Sequence, residues 1–173
     1  MKRNIINTLA LIAALACLTV ACTNREQMIA QIQTAEDSLN DEGILIVKDT
    51  ALANKMIAQY IAFADKYPND SLAPVYLYRA SDITLSLGNS EQNLELLERI
   101  MNNYEDFSEL STCYLTKATT LENEERYKEA LAAYNEFLRL FPDDIMAADV
   151  RQMLPYVGMS PEEMLENILA AAE

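Results

Sequence analysis

Carboxylates are the most crowded reactive groups of this chain. Glu122, Glu124, Glu125 and Glu129 fall within one short stretch, and Asp143-Asp144 follow soon after. Two carboxyls in a cleft that separates their pKa values can divide acid and base roles. These acids instead occupy stretches that read as connections or opening helical turns, where a negative charge also favours the positive helix end. A structural role is the preferred reading. The 173 residues include no His and no Trp, which removes the usual general base, the usual metal ligand and any Ser-His triad. No glycine-rich phosphate loop, Cys-x-x-Cys pair or calcium-loop spacing occurs. Eight Met are present, and a methionine stripe is more often core than a metal or peptide site. The expectation is no catalytic residue, no metal site and no cofactor. A hydrolase using Glu, Lys or Tyr is kept as a rival class, and it would need a polar cleft with a perturbed acid.

The elements that carry these residues are read best from Ser111 to Pro142. Tyr114, Ala118 and Leu121 fall at i, i+4 and i+7, one face of a helix. Ala130, Leu131, Tyr134, Phe137 and Leu138 form a second stripe. Glu122 to Arg126 is too short between them to be more than a tight connection. Pro142 ends the second helix. Copies lie upstream: Tyr67-Pro68-Asn69-Asp70, Tyr104-Glu105-Asp106 and Phe141-Pro142-Asp143-Asp144 recur at 37 residues. Tyr76 to Ala80 echoes Tyr114 to Ala118 after 38, which predicts one inserted residue between Ala80 and Tyr104. In the middle copy Asn93 stands where Ala130 does, and Glu105 replaces the proline.

Counted from Ser111, these aromatic, alanine and proline positions resemble a tetratricopeptide repeat, with Lys117 departing where an apolar residue is usual. The resemblance implies an all-α, TPR-like α-solenoid of antiparallel hairpins, about seven or eight helices, closed by a C-terminal capping helix. It also implies a groove lined by the first helix of each pair. Mapped onto this chain, the groove includes Leu77, Ser81, Leu115, Thr119, Glu122 and Asn123. Leu115 and Thr119 stand where carboxylate-clamp members carry lysine and asparagine, so that mode of binding is not expected.

Lys2 and Arg3 open the chain, and Ile5 to Ala21 is largely apolar. At that length it suits a secretory leader better than a membrane span. Thr19-Val20-Ala21 before Cys22 resembles a bacterial lipoprotein leader, in which the cysteine becomes the lipidated N-terminus. The same residues also fit an ordinary secreted protein or an uncleaved anchor. The domain reading is therefore a leader over 1–21, a tether and first helix over 22–49, and the repeat domain over 50–173. Thr23 rather than aspartate after the cysteine implies sorting to the outer membrane. With Cys22 acylated, Cys113 is the remaining thiol and reads as a small buried side chain.

Met28, Ile32, Ala35 and Leu39 predict a first helix. Ile44-Leu45-Ile46-Val47 is a continuous apolar run, read as a buried link or, if exposed, a docking edge. Asp49 or Thr50 opens a helix to Lys66 carrying Met56, Tyr60 and Phe63. Asp70 or Ser71 opens the next, Gly88 ends it, and Ser90 caps the helix after it. Asp143 or Asp144 starts a helix carrying Met146, Val150, Met153 and Leu154. Ser160-Pro161-Glu162-Glu163 signals a final helix whose Met164, Leu165, Ile168 and Leu169 form one apolar face.

The formal charge is −14. Such a surface repels phosphate backbones and disfavours nucleic acid as a partner. Leader and repeats together resemble periplasmic tetratricopeptide lipoproteins of the outer-membrane assembly and Tol–Pal type. That implies a non-enzymatic adaptor binding an envelope protein or peptide and attached to the membrane by its N-terminal lipid. A component of outer-membrane protein assembly or envelope-integrity machinery is the alternative.

Overall fold

The computed structural model describes residues 24–37 and 50–170. The leader, Cys22, Leu39 and the Ile44-Val47 run lie outside the described residues. Among the described residues the fold is all-α, with no strand. A helix over residues 24–37 (α1) precedes α2 (Thr50–Lys66), α3 (Leu72–Ser86), α4 (Ser90–Asn103), α5 (Leu110–Asn123), α6 (Tyr127–Leu140) and α7 (Ala147–Met153). A 3-10 turn (Leu154–Tyr156) and α8 (Pro161–Ala170) end the described chain. From α2 to α7 each helix packs chiefly on its neighbours in sequence.

The corners explain that order. At the end of α2, α4 and α6 an aromatic amide closes the last turn: Tyr67 bonds the Phe63 carbonyl, Tyr104 that of Ile100, and Phe141 that of Phe137. Three residues on, Asp70, Phe107 and Asp144 donate to the carbonyls of those aromatics. Ala73, Leu110 and Ala147 then donate back to Asp70, Phe107 and Asp144. The same backbone bonds thus recur at each 37-residue step.

The α3–α4 and α5–α6 connections match as well. Gly88 and Glu125 both have positive φ, 73° and 58°. In each case the next amide reaches back five residues, Asn89 to Thr84 and Arg126 to Leu121, the bond of a left-handed helix stop. α4 is capped by the Asn89 side chain, which accepts from the Gln92 amide, rather than by Ser90, whose hydroxyl bonds Glu124. At α8 the predicted reciprocal cap forms, with Glu163 N–H on the Ser160 hydroxyl and Ser160 N–H on the Glu163 carboxylate.

Two apolar clusters form the core. One joins α1 to α5 and includes Ile32, Met56, Tyr60, Phe63, Leu77, Leu97, Ile100 and Cys113. The other joins α4 to α7 through Leu94, Ala118, Leu121, Ala130, Tyr134, Phe137 and Val150. Each large side chain buried here contributes about 1.5–3 kcal/mol. Between the clusters runs a polar seam of Ser81, Thr84, Asn93 and Thr120, all buried. Asn93 donates to the Ser81 carbonyl at 2.9 Å and accepts from the Thr120 hydroxyl at 3.1 Å, so one amide links α3, α4 and α5. Asn93 is a structural bridge rather than a lapse from alanine.

α1 is tied to this body by charge as well as by Ile32. Arg25 pairs with Asp70, and Glu36 accepts from the Tyr60 hydroxyl and from Arg79. At the other end, Ala147 and Val150 of α7 are buried against the second cluster. Met146 is 42% exposed, and Leu165 of α8 is 58% exposed. The expected apolar roles of Met146, Met164 and Leu165 are therefore not realised, whereas Val150, Met153 and Leu154 pack on the second cluster as expected.

Candidate interaction surface

The burial pattern corrects the register in which a groove was mapped. Tyr76 and Cys113 are buried 37 residues apart, as are Ser81 and Ala118, Thr84 and Leu121, and Asn93 and Ala130. No residue is inserted. Ala80 and Ser81 are both fully buried, but the counterpart of Ala118 is Ser81, not Ala80 as the sequence match suggests. A serine is tolerated there because its hydroxyl turns back onto the Tyr78 carbonyl at 2.7 Å. Leu77 and Ser81 are both 0% exposed. They are core, and a partner cannot reach them.

The positions one step before Leu115 and Thr119 are Tyr78 and Asp82. Tyr78 is half-buried and Asp82 lies on the exposed side of α3. Leu115 and Thr119 of α5 are half-buried, the Thr119 hydroxyl donating to the Thr116 carbonyl. Glu122 accepts from the Tyr134 hydroxyl at 2.7 Å, which fixes it as a brace between α5 and α6, while Asn123 is exposed. Of the six mapped residues, four keep some surface. Tyr78 and Asp82 were missed because the alanine match shifted α3 by one.

The electrostatics of this face follow from partial desolvation. Burial raises the Asp82 carboxyl above the usual aspartate range. Burial first, then the nearby Asp82 and Glu109 charges, push the Cys113 thiol up to about 12, so it stays protonated and a poor nucleophile. Burial and the same acids push Tyr78 up to about 12. Tyr78 also meets Phe107 edge-on, ring centres 6.0 Å apart.

The acids of the α5–α6 connection are used by the fold. Arg126 bonds Glu129 and holds its carboxyl below the usual range, Glu124 receives Ser90, and Glu125 is the left-handed residue. Among the described residues no group of three or more His, Cys, Asp or Glu is placed to hold a metal ion. No helix of the described residues is long and apolar enough to cross a membrane. What the face offers is shape and charge: an aromatic ring, an aliphatic side chain, a hydroxyl and a carboxylate. No known family matches the chain, and no curated protein matches it.

Proposed function

We propose that the chain is a tetratricopeptide-like protein-binding scaffold of the bacterial envelope, without catalysis of its own. It is held by lipid on Cys22 at the periplasmic side of the outer membrane. The observation that carries this reading is the corner that recurs every 37 residues. Hairpins stacked on one repeated corner leave an extended face on their first helices, the kind of surface on which such arrays take a partner. Tyr78 and Leu115 supply apolar anchors there, and tyrosine is enriched where binding energy concentrates. Asp82 offers an exposed carboxylate beside them, to which a cation from a partner would make a charge-assisted hydrogen bond. An acid at that place disfavours a free C-terminal carboxylate, and the ligand is therefore an internal peptide segment. The anchor rests on Thr19-Val20-Ala21-Cys22.

In-cell photocrosslinking from positions 82 and 119, followed by mass spectrometry, tests the face. One envelope protein should be captured from both positions and not from position 95 on α4. Equal recovery from all three, or none from 82 and 119, counts against it. The identity of the captured protein separates a general adaptor from a component of outer-membrane assembly. Metabolic labelling with a clickable fatty acid tests the anchor: Cys22→Ala should lose the label, and retention would overturn it.

A further inference from the structure

A second surface lies at the corners. Between the first and second is a cleft of about 630 Å³, walled on its apolar side by Pro68, Pro74, Val75, Tyr104 and Phe107. Between the second and third is one of about 460 Å³, walled by Phe107, Leu110, Leu140, Phe141 and Pro142. Both fall within the ~300–1,000 Å³ typical of sites that take a ligand group. They share the loop Glu105-Asp106-Phe107-Ser108, so they sit in line, one repeat step apart.

Their rims are acidic: Glu105 and Asp106 are common to both, with Asp70 at the first and Asp143 and Asp144 at the second. Among the described residues no Lys or Arg lines either cleft. Asp70 is taken by Arg25, and Asp144 accepts from the Met146 amide. Glu105, Asp106 and Asp143 are exposed and enter no ion pair among the described residues. Arg151 donates to the Pro142 carbonyl and does not line the cleft. Ile145, 90% exposed, extends the apolar surface beside the second cleft.

We propose that this edge docks an extended basic segment of a partner protein, with apolar side chains seated in the two clefts and Lys or Arg on Glu105, Asp106 and Asp143. Charge selects the occupant. A second copy of this chain would bring a formal charge of −14 against the same acids, and nucleic acids and anionic lipids are repelled alike. A helical ligand would follow one side; two clefts in line along an edge suit an extended chain, whose alternate side chains point the same way. The proposal rests on the scaffold reading only in taking the partner to be a protein.

The test uses full-length protein in non-ionic detergent and fluorescence anisotropy of a labelled peptide alternating Lys with Leu. Its counterpart carries Glu for Lys. Combined Glu105→Gln, Asp106→Asn and Asp143→Asn should weaken the Lys peptide about tenfold. Glu95→Gln, Glu98→Gln and Glu136→Gln, the same change in charge elsewhere, should weaken it far less, and the Glu peptide should not bind. Equal loss in the two triple variants, equal binding of both peptides, or no binding of the Lys peptide overturns the edge assignment. A negative result here leaves the crosslinks from positions 82 and 119 untouched. Circular dichroism of each variant excludes loss of fold.

Discussion

Thr120 donates to Asn93 at 3.1 Å in a place where neither residue touches water. Because Asn93 also holds the Ser81 carbonyl, three helices meet at one amide. A buried polar group of this kind stabilises when satisfied and costs heavily when a partner is removed.

Asn93→Ala should therefore lose about 1–3 kcal/mol in urea denaturation, although alanine is the residue at the matching position of the next repeat. Thr120→Val should lose less, and the double variant should fall short of the sum of the two losses by about 0.5–1.5 kcal/mol. Additive losses would show that the bond between them contributes nothing.

Glu125 stands in the left-handed conformation that Gly88 adopts one repeat earlier. Glu125→Gly should stabilise by about 0.5–1 kcal/mol, because glycine meets no Cβ penalty there. Gly88→Ala should cost about as much in the other direction, since an added Cβ meets nothing within 4 Å and only the backbone is strained. The thermal midpoints should move oppositely; a destabilised Glu125→Gly would contradict the assignment.

Gly158 also has positive φ, but a Cβ there would lie 2.9 Å from the Tyr127 ring. Gly158→Ala should consequently cost more than Gly88→Ala, by about 1–3 kcal/mol of overpacking. In a Tyr127→Ala background the excess should disappear while the backbone cost remains. Persistence of the excess would mean the ring can move aside.

Two aspartates should respond to pH with opposite sign. Arg25 lowers Asp70, so its contribution is full above the ordinary aspartate range and is lost as pH falls through its folded value. Asp70→Asn should then destabilise at neutral pH and have little effect in acid. Burial raises Asp82, so ionising it opposes folding as pH rises from the ordinary range through its folded value. Asp82→Asn should stabilise at neutral pH, an advantage that vanishes in acid. Urea midpoints measured across pH 3–7 would check both, and parallel curves for the two variants would refute the assignment.

Periodic features of the fold were legible in the amino-acid order. Aromatics at Tyr67, Tyr104 and Phe141 mark the corners, because a large side chain ending each second helix packs under the turn it closes. The α3 register was not legible, since Ala80 and Ser81 are both small and both buried, and only the backbone repeat shows which one corresponds to Ala118. Asn93 read as a defect for a related reason: its value lies in Thr120, 27 residues away in sequence and on another helix. The exposure of Met146, Met164 and Leu165 was equally hidden. An apolar stripe says which face could be buried, not whether another element arrives to cover it.

The recurring corner makes length a matter of whole blocks. Splicing Tyr67 directly to Glu105 would excise one block and offer α5 the end of α2 in place of the end of α4. The junction would close with the bonds it already uses, but Met56 would take the place of Asn93 and leave the Thr120 hydroxyl stranded. Loss of a block thus leaves the backbone corner intact and falls on the side chains that cross it, the Asn93–Thr120 bond among them.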